Sequence, residues 1–290
     1  MGLNAAVSCL WPLGAVLGEG PLWWEGALWF TDIKQKKIHR FDPATGAKKS
    51  WPAPSETGFL APRKCGHFIA GTKTGLMDFD PASGRFAPLR EVEPQRPANR
   101  LNDGAVDRQG RLWFGSMDDD EQQATGRLYC LDRGGLTPMD CGYVITNGPA
   151  FSPDGRVLYH TDTLARRIYA FDLGQGGALG NKRVFVEIEN GAGYPDGSTV
   201  DSDGCLWTGL FGGWSVRRYS PEGHLLQTVR FPVANVTKIA FGGEGLTTAY
   251  ATTAAKGLDA AGHKDQPLAG GLFSFEAPVP GLPAFAIAED

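Results

Sequence analysis

The sequence predicts an all-β chain, a six-bladed β-propeller with four-stranded blades, and three observations in its 290 residues carry that prediction. The first is punctuation: 40 Gly and 20 Pro make up about one residue in five, without the Gly-X-Y period of collagen, alongside 8 Trp and 16 Phe. Gly and Pro between aromatic runs describe many short strands joined by tight turns. The second is periodicity. No long stretch keeps a capped 3.6-residue apolar repeat, whereas short strand-like runs recur throughout. The third is a repeat. Strand-centre aromatics fall at Trp29, Phe68, Trp113, Tyr159, Trp207 and Tyr250, with gaps of 39, 45, 46, 48 and 43 residues. Such a period, with several strands in each unit, is the signature of a propeller.

The units follow in order. The first has strands at Ala27–Ile33 and Lys37–Phe41, then the turn Asp42-Pro-Ala-Thr-Gly46. In the second, His67–Gly71 precedes Asp80-Pro-Ala-Ser-Gly84. This unit, around Phe59–Phe86, is the weakest because its start is hard to place. The third holds Arg111–Gly115 and Arg127–Leu131. The fourth opens on Ser152-Pro-Asp-Gly155 and holds Val157–Thr161 and Arg167–Phe171. The fifth has Leu206–Leu210 and Ser215–Tyr219 before Ser220-Pro-Glu-Gly223. The sixth has Leu246–Thr252 and Gly271–Phe275. Each turn offers Pro at its second position and Gly near its end. The segment Met1–Leu17 lacks a basic n-region, and Pro12 and Gly14 interrupt its apolar run, so it reads as strand rather than signal peptide. Its part near Val7–Leu17 is expected to close the ring against the C-terminal unit, because Glu19 already begins the first inner strand. One propeller then accounts for residues 1–290, with no second domain or linker.

Composition narrows the function. Hydrophobic residues at 42% and charged residues at 21% support a packed core and exclude global disorder. A net charge of −4 argues against a nucleic-acid reader built on a basic face. No run approaches the ~20 apolar residues of a membrane helix. Five cysteines, Cys9, Cys65, Cys130, Cys141 and Cys205, are odd in number and lack C-x-x-C spacing. Reduced thiols in a cytoplasmic protein are therefore expected, without a disulfide framework or a cysteine zinc site. The expected partner is a small molecule rather than nucleic acid or membrane, and the expected state is a monomer.

In a propeller the innermost strands surround a channel, so residues of equal register in successive units converge at one mouth. Aligning units on Asp107, Ser152, Asp201 and Gly242 and counting back five residues gives Asn102, Asn147, Asp196 and Thr237. The first unit places Glu19 at the same step. Two carboxylates and two carboxamides around one opening make an oxygen-rich site for a hard cation. Without a cation the like charges repel and raise one another's pKa. The competing reading is turn chemistry, since Glu-Gly, Asn-Gly and Asp-Gly all favour loops. Turn chemistry does not require acids and amides at one register.

Several segments resemble the SMP-30/gluconolactonase/luciferin-regenerating family of regucalcin-like sugar lactonases. They are Gly18-Glu-Gly-Pro-Leu-Trp23, Leu28-Trp-Phe-Thr-Asp-Ile33, Arg100-Leu-Asn-Asp-Gly104, Arg111-Leu-Trp-Phe-Gly-Ser-Met117, Ile145-Thr-Asn-Gly-Pro149 and Tyr194-Pro-Asp-Gly197. The likeness runs from about Leu17 to about Phe275. Tyr159-His-Thr-Asp-Thr163 and Asn181-Lys-Arg-Val-Phe185 add a likeness to bacterial aldonolactonases such as xylonolactonase. The resemblance implies a six-bladed propeller and one divalent cation (calcium, zinc, manganese, magnesium or ferrous iron). It implies Glu19, Asn147 and Asp196 as ligands, and Arg100 and Asn102 as substrate contacts. An acid after the Ser-Met segment contacts substrate in some relatives. The run Asp118-Asp-Asp-Glu121 offers Asp120 by spacing, and reads equally as a solvated lid.

These groups suit metal-dependent hydrolysis of a sugar lactone, such as xylonolactone or gluconolactone, to the aldonic acid. A divalent ion with open positions polarises a carbonyl and activates water. Asp196 is placed to accept the water's proton as catalytic base, and Arg100 and Asn102 to orient the ring. There is no G-x-S-x-G elbow, and none of the five histidines lies at the ring register. His160, beside Asp162, is expected to be structural and hydrogen-bonded. Trp23-Trp24 is expected to pack between blades, and Lys34-Gln-Lys-Lys37 to be a solvated hairpin. The alternatives are a non-catalytic divalent-ion-binding propeller, which has no use for the Arg100/Asn102 pair, and a propeller esterase or phosphotriesterase, which fold alone does not separate.

Overall fold

Six four-stranded antiparallel sheets make up the computed structural model, which describes residues 6–288. Blade 1 runs Gly18–Trp24, Ala27–Asp32, Lys37–Phe41, Lys48–Pro52 from the inside out. Blade 2 runs Thr57–Pro62, Phe68–Thr72, Gly75–Asp80, Arg85–Glu91, and blade 3 runs Asn99–Val106, Leu112–Asp118, Gly126–Asp132, Gly135–Tyr143. Blade 4 is Thr146–Phe151, Val157–Asp162, Arg167–Leu173, Leu179–Glu187, and blade 5 is Tyr194–Val200, Leu206–Phe211, Ser215–Tyr219, Leu225–Arg230. Blade 6 combines Asn235–Gly242, Thr248–Ala254 and Leu272–Glu276 with the N-terminal strand Ser8–Trp11 as its outer edge. Each innermost strand packs on the next, and the sixth on the first, so the ring is closed. The N-terminal strand is shorter than Val7–Leu17, and Met1–Ala5 of the expected first strand lie outside the described residues.

The repeat has a physical cause. All six period-marking aromatics sit on second strands, where they fill the layer between neighbouring blades. Asp107 accepts from Trp113 Nε1 at 2.9 Å and from Arg111 Nε at 2.6 Å. Asp201 repeats this with Trp207 Nε1 at 2.8 Å and Arg218 Nε at 2.7 Å. The Asp-x-x-Gly turn therefore does two jobs: Gly110 N and Gly204 N bond back to Asp107 O and Asp201 O, while the Asp carboxylate anchors the Trp that fills the next layer. Trp23 stacks on Tyr250 across the blade 1–blade 6 seam with centroids 5.5 Å apart, a packing role as expected.

Channel depth is set by one irregularity. Every innermost strand shifts register against its neighbour at or next to one equivalent position: after Glu19, Thr57, Leu101, Asn147, Pro195 and Val236. A bulge at each place turns the strand and re-aims its side chains toward the axis. Blade 2 has Gly58 at this step, because a Cβ there would lie 1.9 Å from Asn102 O. It therefore brings no side chain to the ring, which explains why its start is illegible in sequence. At the far end of the channel lies an apolar cavity of about 360 Å³, lined by Leu22, Leu60, Val106, Phe151, Phe241 and the C-terminal Phe285. The C-terminal segment is tied across this end by Ser202 N to Pro280 O, Ile287 N to Pro62 O and Ala288 N to Gly110 O.

Candidate functional site

At the bulges, Glu19, Asn102, Asn147 and Asp196 meet at the opposite mouth, all buried at 2–5% exposure. Thr237, the sixth-blade counterpart, stays in the wall, its hydroxyl donating to Gly18 O at 2.7 Å. Glu19 takes the N–H of Gly20 on Oε2 at 2.9 Å, and its carboxyl lies within hydrogen-bond reach of Asp196. Asn147 is fixed on both sides: Oδ1 accepts from Asn102 Nδ2 at 3.0 Å, and Nδ2 donates to Thr163 Oγ1 at 2.9 Å. Asn102 Nδ2 also reaches Thr146 O at 2.6 Å. Gly148, after Asn147, has φ +74°, a left-handed bend that favours glycine at this bulge.

The electrostatics follow from that crowding. Burial, then the charge of Asp103, pushes Glu19 up to about 7. Burial, then Glu19 and Asp103, drives Asp196 well above the usual carboxylate range. Two carboxyls brought together in the dry interior either share a proton or take a cation. Among the described residues no three His, Cys, Asp or Glu side chains form a metal-binding group. The oxygens of this mouth come instead from two carboxyls and the amide of Asn147. That hard, oxygen-only donor set, desolvated and mutually repulsive, fits a divalent cation.

A second tier guards the mouth. Arg100, 2% exposed, donates from Nη1 to Asn102 Oδ1 at 2.5 Å and from Nε to Asp119 Oδ1 at 2.8 Å. Asp119 also receives Lys34 Nζ at 2.6 Å and Lys73 Nζ at 2.9 Å. Burial alone would raise Asp119, but these hydrogen bonds and the Arg100 charge hold it far below the usual carboxylate range. Glu121 pairs with Lys256 of the long loop in blade 6. The acidic run is thus pinned to blades 1, 2, 3 and 6. Asp119 is its member that meets Arg100, while Asp120 is exposed and its carbonyl accepts from Gln122 Nε2. Lys34 is not simply solvated, since it crosses to Asp119 of this run.

His160 departs from expectation. It is fully buried on the second strand of blade 4, with neither ring nitrogen hydrogen-bonded among the described residues. It sits against the Tyr143 ring at 4.9 Å, edge to face, and burial lowers its pKa to about 3, so it is an uncharged packing residue. Sequence reasoning missed Asp103 and Lys238, which lie one residue past Asn102 and Thr237 and pair inside the channel. Counting the same register one step further would have found both. It also missed Thr163, which orients Asn147; no spacing signal marks it.

The profile of the SMP-30/Gluconolactonase/LRE-like region matches residues 17–255. A 6-deoxy-6-sulfogluconolactonase of Pseudomonas putida is 34% identical over 290 residues, covering 98% of this chain and 100% of its relative. An L-arabinolactonase of Azospirillum brasilense is 37% identical over 268 residues, covering 89% and 87%. Among solved structures, a calcium-binding regucalcin of Agrobacterium tumefaciens superposes with a TM-score of 0.95 at 28% identity, over 98% of each chain.

Proposed function

The chain belongs to the SMP-30/gluconolactonase/LRE-like family, and from that premise we propose that it is a divalent-ion-dependent lactonase that hydrolyses a sugar lactone to its aldonic acid. The observation that carries the proposal is the pairing of two functions at one mouth: the Glu19–Asn147–Asp196 oxygen set and, hydrogen-bonded into it, the Arg100–Asn102 arm. Relatives named for sulfogluconolactone and arabinolactone support a sugar lactone as substrate, and the calcium-binding regucalcin supports a divalent ion. An ion-storage propeller needs no buried guanidinium beside its ligands.

Glu19, Asn147 and Asp196 would hold the ion, with Asn102 close enough to join through water. Bound there, a divalent cation supplies Lewis-acid polarisation of the ester carbonyl. The chain's own groups do the rest. Asp196 accepts the proton of the attacking water. Asn102 donates both amide hydrogens, to Thr146 O and Asn147 Oδ1, so it offers the sugar the Oδ1 lone pair left beside its bond from Arg100. Among the described residues no hydrogen bond engages Arg100 Nη2, which leaves that edge of the guanidinium for lactone hydroxyls or the carbonyl. Lys34 and Lys73 keep Asp119, and through it Arg100, in place. Asp120, at the exposed turn of the acidic run, would contact the part of the sugar that projects from the mouth. A cytoplasmic setting is proposed because all five cysteines are free, with Cys65 and Cys141 exposed. Among the described residues no helix is long and apolar enough to cross a membrane.

Arg100→Ala tests the substrate arm. A charged hydrogen bond to substrate contributes about 1.5–3 kcal/mol, so kcat/KM on an aldonolactone is expected to fall about 10–100-fold. Ion binding, followed by calorimetry, is expected to persist. An unchanged kcat/KM would remove Arg100 from the substrate site. A wild-type protein that never exceeds spontaneous hydrolysis would remove the lactonase reading itself.

A further inference from the structure

One step deeper than the ring, the channel holds a pair that the proposed hydrolysis does not use. Asp103 follows Asn102 on the inner strand of blade 3, and Lys238 follows Thr237 on the inner strand of blade 6. Lys238 Nζ donates to both Asp103 oxygens, each at 2.7 Å. Gly104 N and Gly148 N take further lone pairs of the carboxylate at 2.8 and 3.0 Å. Both side chains are buried, Asp103 at 1% and Lys238 at 6% exposure. The pair joins opposite blades across the channel. Blade 5 makes room for the lysine stem with Gly197, where a Cβ would lie 2.6 Å from three of its carbons. That stem also lines the apolar far cavity, so the ion pair forms the floor between the polar mouth and that cavity.

Stability alone does not account for this arrangement, because a buried ion pair is often no better than well-packed apolar side chains. Its position does. Asp103 acts electrostatically on both Glu19 and Asp196, and Lys238 acts on Glu19 in the opposite sense. Asp103 accepts the N–H of Gly148, the residue after Asn147, so an unpaired Asp103 would set a third buried carboxylate beside any cation held at the mouth.

We infer that Lys238 is a counter-ion tethered inside the channel: its ammonium keeps Asp103 out of divalent-ion coordination, confining the ion to the Glu19–Asn147–Asp196 set and holding it there against a fixed positive charge. This rests on that set being the ion site. It requires the two halves of the pair to affect ion binding with opposite signs. Removing the ammonium releases a carboxylate, whereas removing the carboxylate leaves an uncompensated ammonium beside the ligands.

The test is calorimetric titration of chelator-stripped protein with Ca²⁺ and with Mn²⁺, for wild type, Lys238→Met, Asp103→Asn and the double variant, each checked for folding by circular dichroism. Lys238→Met is expected to bind about tenfold or more tightly, or to take up a second ion, and Asp103→Asn to bind about tenfold or more weakly, the scale of one unit charge a few ångströms away in a protein interior. The double variant is expected to return to within about threefold of wild type, because both charges are gone. A folded Lys238→Met with wild-type affinity and stoichiometry overturns the inference. If Lys238→Met does not fold, Asp103→Asn decides: weakened binding restored in the double variant supports the inference, and wild-type binding overturns it. Wild-type protein that gives no binding heat defeats the ion site itself, and the inference with it. Variants indistinguishable from a binding wild type defeat the inference alone.

Discussion

Asp196→Asn is expected to yield a folded protein that, saturated with divalent ion, hydrolyses lactone about 10²–10⁴-fold more slowly than wild type, the range positioned proton transfer supplies. The substitution keeps the side chain's size and one ligating oxygen. It removes the charge and the basicity. Two effects must be separated, because Asp196 is proposed both to hold the ion and to take a proton. Weakened binding is overcome by excess ion, but a missing base is not. Lactones also hydrolyse spontaneously, so the background is subtracted at each pH. If the ion-saturated variant keeps a near-normal kcat, Asp196 serves only as a ligand.

Glu19→Gln is expected to weaken divalent-ion binding by about 100-fold or more, because a unit charge in contact with the ion is lost from a desolvated site. The same change should alter the metal-free protein in the opposite direction. Burial, then the Asp103 charge, raises Glu19 from 4.5 to about 7 in the fold. A carboxyl whose folded pKa is raised binds more protons folded than unfolded, so stability is lost as pH rises between those values. Metal-free wild type should therefore melt progressively lower from about pH 4.5 to about pH 7, whereas metal-free Glu19→Gln should lack that part of the decline. Adding Ca²⁺ above that range should restore the wild-type melting temperature and leave the variant nearly unmoved. Equal affinity in the two proteins would remove Glu19 from the ion site.

The second strands were the most legible part of the fold, because their aromatics are the layer between blades and recur with the blade. The outer strands were not. Lys48–Pro52 and Arg85–Glu91 face solvent along most of their length and Leu225–Arg230 along half of it, so no apolar alternation marks them. Leu246–Thr252 shifted to Thr248–Ala254 because Glu244–Leu246 forms a 3₁₀ turn with Gly245 at φ +65°. The helix Ala260–Asp265, capped by Asp259, is too short to show a period.

At the mouth, register placed Glu19, Asn102, Asn147 and Asp196 together because one bulge recurs in every blade. It ran out where contacts cross between loops. Which acid of Asp118–Glu121 meets Arg100 depends on the path of that run, and only the folded chain shows that Lys34 and Lys73 draw Asp119 inward. The Lys238–Asp103 bond spans 135 residues of sequence, and one lysine in an apolar strand carries no sign of its partner.

Lactone hydrolysis that depends on an ion at this mouth is measured by acid release in a pH-stat. Aldonolactones, aryl esters and organophosphates are compared with protein stripped by chelator and then resupplied with a divalent ion. Stripped protein is expected to show only spontaneous hydrolysis and the returned ion to restore catalysis, with aldonolactones the preferred class. Catalysed lactone hydrolysis that is equal before and after stripping, or absent in both, would contradict ion-dependent lactone hydrolysis.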